Sequence, residues 1–173
     1  MKFDETTAAF GMFHLAFANL TQRLESAVFL IRRIKEPNLN FQEVMQLQFS
    51  DLCKALKSGL KQLDGRQSIE TDVQYVRHFC AKARELSKWR NERVHARVQI
   101  DEGAITIYNS RTGKQLILNR DECLGKIQEA IGFALALDQN VASLLRNLKS
   151  EQEIYEMLQE IFRTVEDPAC ELE

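Results

Sequence analysis

Long stretches of this chain carry apolar side chains at steps of three and four residues, and few helix breakers interrupt them. The 173 residues include only 2 prolines and 7 glycines. In the first stretch, over about residues 6–35, the repeated positions include Phe10, Phe13, Phe17 and Leu20. This spacing places apolar side chains on one face of an α-helix, so the chain is expected to be mostly helical.

The same spacing, together with capping and breaking residues, predicts where the other helices lie. Pro37 ends the first helix, because proline cannot continue one. Asn119 with Glu122, and Ser150 with Glu153, have the spacing of a capping box at a helix start. The remaining helices are expected at about residues 41–63, 68–95, 120–148 and 150–165.

The pattern changes between the third and fourth predicted helices. Residues 97–118 alternate apolar and polar side chains and contain turn residues, which is typical of a small antiparallel β-ribbon. The predicted fold is a single domain over residues 1–173. It is a mostly α, antiparallel bundle of four to five helices, with the ribbon inserted between helices three and four. The acidic end, residues 166–173, is expected to be frayed.

Composition argues against several classes of protein. The 4 cysteines form no CxxC pair, and no histidine lies at zinc-ligand spacing from any of them. We therefore expect no disulfide framework, no metal site and no cofactor. The N-terminus is acidic where a secretion signal would be basic, and its apolar run is too short to span a bilayer. These features predict a cytoplasmic protein without a membrane partner.

The charge of the chain is unevenly distributed. The net charge is −2, yet residues 73–99 hold seven lysines or arginines against two glutamates. A local cationic patch on an acidic protein suggests a site for a phosphate-bearing ligand. A solvated helix face with no ligand is the alternative interpretation.

Arg90 occupies an unusual position within this cationic segment. The apolar stripe of the third predicted helix consists of Val76, Phe79, Ala83 and Leu86. With about 100° of turn per residue, Arg90 falls in the middle of that stripe. A buried guanidinium is costly unless a carboxylate, a water-filled cleft or an anionic ligand compensates its charge.

Two further polar residues follow Arg90 closely. On a regular helix His95 lies roughly 140° around from Arg90, whereas Asn91 shares a face with His95. One regular helix therefore does not direct Arg90 and His95 at the same ligand. Loosening of the helix end, or a second copy of the chain alongside, would bring them together.

Two other residues, His14 and Trp89, have simpler interpretations. His14 lies among the phenylalanines of the first helix and is expected to be a core or interface histidine. Trp89 is expected to be a packing or interface aromatic side chain.

The segment "RNERVH", residues 90–95, resembles the R-N-x-x-x-H form of the Rx4–6H motif of HEPN domains. Members of that family are helical bundles with the motif towards the end of a long helix. The resemblance extends loosely over residues 10–148, through "NLTQRLESAV" in the first helix and the helix start "NRDECLGKI". Only residues 90–95 match a motif that is specific to the family.

The resemblance implies a function and a set of roles. Active HEPN proteins are metal-independent endoribonucleases, and many of them are toxins or defence effectors. They act as homodimers, and the motif arginine and histidine of both copies line one cleft. Arg90 would bind and stabilise the phosphate, His95 would act as general acid and base, and Asn91 would orient the histidine or the phosphate. RNA is then the substrate, and an antitoxin or regulatory chain is an expected partner.

Other roles remain open beside that assignment. The family motif gives no fixed role to three further cations, which we interpret as candidate contacts to backbone phosphates. They are Lys88, Arg93 and Arg97. HEPN-like domains also occur as non-catalytic dimerisation, regulatory or nucleotide-binding modules, and that is the alternative function.

Overall fold

The computed structural model describes residues 2–63, 69–94, 97–101, 104–109 and 113–166, and the fold is mostly α. The helices are α1 (Lys2–Arg33), α2 (Phe41–Met45), α3 (Phe49–Lys61), α4 (Glu70–Val94), α5 (Arg120–Leu148) and α6 (Glu151–Glu166). The strands are β1 (Arg97–Asp101), β2 (Ala104–Tyr108) and β3 (Gln115–Ile117). The predicted helical class is confirmed, and no helix in the described part of the chain is long and apolar enough to cross a bilayer. Except for Glu166, where α6 ends, the predicted frayed end lies outside the described residues.

One predicted helix is wrong. The stretch expected to form a single helix over residues 41–63 is two helices, because Gln48 is extended (φ −70°, ψ 155°) between α2 and α3. The carbonyl of Gln48 accepts hydrogen bonds from the amides of Asp51 and Leu52 as α3 begins. The break lets both segments bury their apolar side chains, with Phe41 in α2 and Leu52 among those of α3. The apolar spacing runs through this break, so periodicity alone did not reveal it.

The predicted ribbon is present as a three-stranded antiparallel sheet in the order β1-β2-β3. Ile105 and Ile107 of β2 are buried. Asn109, which follows β2, donates a hydrogen bond from its amide to the carbonyl of Glu92 in α4 (3.2 Å). The turn towards β3 contains Gly113 in the left-handed region (φ 67°), which glycine adopts without strain. The extra helix break means that the ribbon lies between the fourth and fifth helices.

The chain divides into two compact units. The first unit comprises Met1–Leu20 and Ala81–Ala134, and the second comprises Thr21–Cys80 and Leu135–Glu173. Buried side chains of the first unit include Phe13, Trp89 and Cys123, and those of the second include Phe29 and Leu56. The end of α4, the ribbon and the start of α5 all belong to the first unit.

Two helical glycines give opposite predictions for stability. A Cβ atom at Gly59 in α3 would lie 2.9 Å from Cγ2 of the buried Ile31, whereas a Cβ at Gly132 in α5 would meet nothing within 4 Å. We expect Gly59→Ala to lower the free energy of unfolding by about 1 kcal/mol, because the clash exceeds the gain in helix propensity. Gly132→Ala should raise it by about 0.5 to 1 kcal/mol. Urea unfolding of both variants measures the contrast, and stabilisation by both would contradict the close packing at Gly59.

Candidate functional site

The segment that resembles the HEPN motif lies at the end of α4, which stops at Val94. Arg90 and Asn91 lie in the last turns of this helix, and the side chain of Lys88 is exposed. His95 lies outside the described residues, so the histidine of the motif has no described position. Arg97 begins β1, but its side chain is also outside the described part of the structure.

An aromatic cluster of Phe10, Phe13, Phe17 and Trp89 joins α1 to this part of α4. The ring centres of Phe13 and Trp89 are 4.7 Å apart at an interplanar angle of 75°, and those of Phe13 and Phe17 are 6.0 Å apart. Because the three phenylalanines recur at steps of three and four residues, α1 presents them on one face. Trp89 is 9% exposed, so of the two roles expected from the sequence, packing or interface, the structure shows packing.

One carboxylate oxygen connects α4 to α5 beside this cluster. Oε1 of Glu122 accepts hydrogen bonds from Nε1 of Trp89 (2.6 Å) and from a terminal nitrogen of Arg93 (2.9 Å). Glu122 sits in the first turn of α5, whose start is capped by the side-chain oxygen of Asn119. We call Trp89, Arg93 and Glu122 the Glu122 network.

Arg93 is built into the interior by this network. Its side chain is only 6% exposed, against 38% for Glu122. The guanidinium carbon lies 4.0 Å from the centre of the Trp89 ring, and another terminal nitrogen donates to the Trp89 carbonyl. To reach an RNA phosphate, as the sequence analysis suggested, Arg93 would have to leave all of these partners.

Arg90 has a different environment, although it lies only one helical turn before Arg93. Its guanidinium carbon is 5.2 Å from the centre of the Phe17 ring, and a terminal nitrogen donates to Oδ1 of Asn91 (3.1 Å). The Nε atoms of both arginines are buried and have no hydrogen-bond partner among the described residues, so the two differ in their terminal nitrogens. Within the same part of the chain no carboxylate oxygen lies within 4.0 Å of the Arg90 guanidinium. The positive charge of Arg90 is therefore not neutralised by any described residue.

His14 of α1 adjoins the Arg90 position. The centre of its half-buried ring lies 4.7 Å from the ring centre of Phe10 and 5.8 Å from that of Phe13, and both contacts are edge-on. Burial, and then the positive charge of Arg90, lower the pKa of His14 below its ordinary value. Both effects favour the neutral form of the His14 imidazole. The sequence predicts a core or interface histidine here, and the effect of Arg90 on it follows from the packing of α1 against α4, which local spacing does not encode.

Arg90 is thus hydrogen-bonded to Asn91 and lies on the aromatic cluster that His14 also contacts, whereas Arg93 is bound by Glu122 and Trp89. An unneutralised guanidinium, an amide and a neutral imidazole form a surface suited to an anion with several oxygen atoms. No group of three or more histidine, cysteine or acidic side chains in the described ranges could hold a metal ion.

No protein-family model, no curated protein and no solved structure matches this chain.

Proposed function

We propose that this protein is a metal-independent endoribonuclease that binds an RNA phosphate at Arg90 and uses His95 as general acid and base. The observation that carries the proposal is the half-buried guanidinium of Arg90, which no carboxylate neutralises in the described part of the chain. Partial burial of a charge without an ion-pair partner costs some solvation free energy, which the remaining exposure of the guanidinium limits, so a helix that only needed packing would have no need of an arginine there. A bound anion offsets that cost.

Arg90 suits the charge changes of RNA cleavage. A guanidinium donates two parallel hydrogen bonds to two phosphate oxygens, and these bonds strengthen as negative charge develops on them. The Phe17 ring beneath the guanidinium excludes water from one side, which increases the electrostatic effect. The hydrogen bond from Arg90 to Asn91 holds the planar group in one orientation.

RNA supplies its own nucleophile, the 2′-hydroxyl. In the proposed reaction the 2′-oxygen forms a bond to phosphorus and the bond from phosphorus to the 5′-oxygen breaks. His95 accepts the proton of the 2′-hydroxyl or gives a proton to the leaving oxygen, because imidazole titrates near neutral pH. The products are a 2′,3′-cyclic phosphate and a 5′-hydroxyl.

We also propose that the active form is a homodimer. On a regular helix Arg90 and His95 diverge by roughly 140°, and a second copy of the chain could supply the missing group to one cleft. Lys88, which is exposed, and Arg97 are proposed to bind neighbouring phosphates of the RNA. Because an unrestrained ribonuclease damages its own cell, an inhibitory partner chain is part of the proposal.

An RNA cleavage assay in EDTA tests the enzyme directly. Purified protein should cleave a mixed-sequence single-stranded RNA to fragments that end in a 2′,3′-cyclic phosphate. His95→Ala should lower the rate by at least about 100-fold, because it removes the general acid and base. His78→Ala is the matched control, since His78 is an exposed histidine of the same helix and should be dispensable. Cleavage that requires added divalent ions, or that survives in His95→Ala, would refute the proposal.

The unneutralised charge of Arg90 also favours a second candidate, a nucleotide-binding module without turnover. Such a module would be stabilised thermally by mononucleotides more than by sulfate at equal ionic strength, because it would also contact the base. Binding of this kind in a protein that does not cleave RNA would favour the second candidate over the first.

A further inference from the structure

The first unit holds an imidazole beside Arg90 that the family motif does not include. His14 and Phe17 are three residues apart on α1 and so lie on one face of that helix. The guanidinium of Arg90 lies over the Phe17 ring, and the ring of His14 meets the edges of Phe10 and Phe13. Both polar groups therefore rest on the same aromatic cluster, one from each helix.

The charges around this pair favour an anion between them. Burial lowers the pKa of His14 most, and the positive charge of Arg90 lowers it further. Among the described residues neither side chain forms an ion pair with a carboxylate. The Glu122 carboxylate in the same unit accepts hydrogen bonds from Trp89 and Arg93. A phosphate would supply the negative charge that no described residue places there.

We propose that His14 is a second phosphate-contacting imidazole of the Arg90 site, binding the same phosphate from α1 that Arg90 binds from α4. The inference rests on the proposed use of Arg90 as the phosphate-binding cation. When the anion binds, its charge offsets that of Arg90, and His14 takes up a proton from solvent. The resulting imidazolium donates a hydrogen bond to a phosphate oxygen.

This arrangement supplies the acid that cleavage requires. With His95 neutral and His14 protonated, His95 accepts the proton of the 2′-hydroxyl as the bond from the 2′-oxygen to phosphorus forms. His14 then donates its proton to the 5′-oxygen as the bond from phosphorus to that oxygen breaks. The two histidines exchange protonation states in each turnover, and solvent restores them.

Histidine NMR of the full chain tests the inference with inorganic phosphate as the probe. The three histidine signals are assigned with His14→Gln and His78→Gln, and their pKa values are measured with and without saturating phosphate. We expect phosphate to raise the pKa of His14 by about 1, a tenfold increase in its proton affinity. The signals of His78, the control histidine, should not respond to phosphate. In Arg90→Gln the effect of phosphate on His14 should disappear.

Several results would overturn the inference. One is an unchanged pKa of His14 under phosphate concentrations that shift the guanidinium signals of Arg90. Another is a His14→Gln enzyme with the wild-type rate and the wild-type alkaline limb of its pH–rate profile, since removing the general acid should lower the rate by about 100-fold and abolish that limb. A His14 response to phosphate in a protein that cleaves no RNA would uphold this site and refute the nuclease. RNA cleavage that is unaffected by His14→Gln would uphold the nuclease and refute the role of His14.

Discussion

Arg93→Ala is expected to lower the free energy of unfolding by about 3 kcal/mol, because it removes one partner of a largely buried ion pair. The Arg93 side chain is 6% exposed and shares one oxygen of Glu122 with Trp89. The substitution also removes the contact between the guanidinium and the Trp89 ring. The partial exposure of Glu122 places the expected loss at the lower end of the range for such pairs. Urea unfolding followed by circular dichroism measures it.

Arg90→Ala is the matched control for that measurement. This variant also removes an arginine side chain from α4, one helical turn earlier, but no described carboxylate loses an ion-pair partner. We expect its stability to stay within about 1 kcal/mol of the wild type, since only a contact with the Phe17 ring and one hydrogen bond are lost. A loss as large as that of Arg93→Ala would show that Arg90 is a structural residue and would favour the non-catalytic module.

A double-mutant cycle refines the comparison. If Arg93 and Glu122 interact as the 2.9 Å contact indicates, the losses of Arg93→Ala and Glu122→Ala should not add. We expect a coupling energy of about 1 to 3 kcal/mol for this pair. Arg90→Ala combined with Glu122→Ala should give losses that add within about 0.5 kcal/mol.

Arg90→Ala should lower the rate of RNA cleavage in EDTA by about 1000-fold if Arg90 stabilises the charge that develops on the phosphate. Arg90→Lys should still lower it by about 100-fold, because an ammonium is a point charge and cannot fork onto two oxygens. Single-turnover assays with excess enzyme isolate the chemical step from product release. Cleavage by Arg90→Ala within tenfold of the wild-type rate would remove Arg90 from the reaction.

Lys88→Ala provides the control for this second prediction. Lys88 is exposed on the same helix, two residues before Arg90. A contact to a neighbouring backbone phosphate should affect KM a few-fold and reduce the salt dependence of binding, with kcat nearly unchanged. A loss of kcat in Lys88→Ala comparable to that in Arg90→Ala would indicate that cleavage depends on the overall positive charge of this surface rather than on a specific phosphate site at Arg90.

Local features of the fold could be predicted from the sequence because short-range physics controls them. Apolar spacing located the helices, the alternating pattern located the ribbon, and Asn119 caps the start of α5 with its side-chain oxygen as the capping-box spacing predicted. The break between α2 and α3 escaped prediction. Gln46 and Gln48 are not helix breakers, and the apolar spacing continues past them. What favours the break is the burial of apolar side chains on both sides of it, which depends on the rest of the second unit.

For the polar residues too, the sequence and the tertiary structure determined different things. The sequence by itself determined that a guanidinium falls on the apolar stripe of a long helix, because helical periodicity fixes which residues share a face. Only the tertiary structure decided which arginine is neutralised. Glu122, on another helix and 29 residues from Arg93, binds that arginine and leaves Arg90 over Phe17 beside His14. Two arginines three positions apart have nearly the same local sequence context, so the partner that distinguishes them comes from packing between helices, which no local spacing encodes.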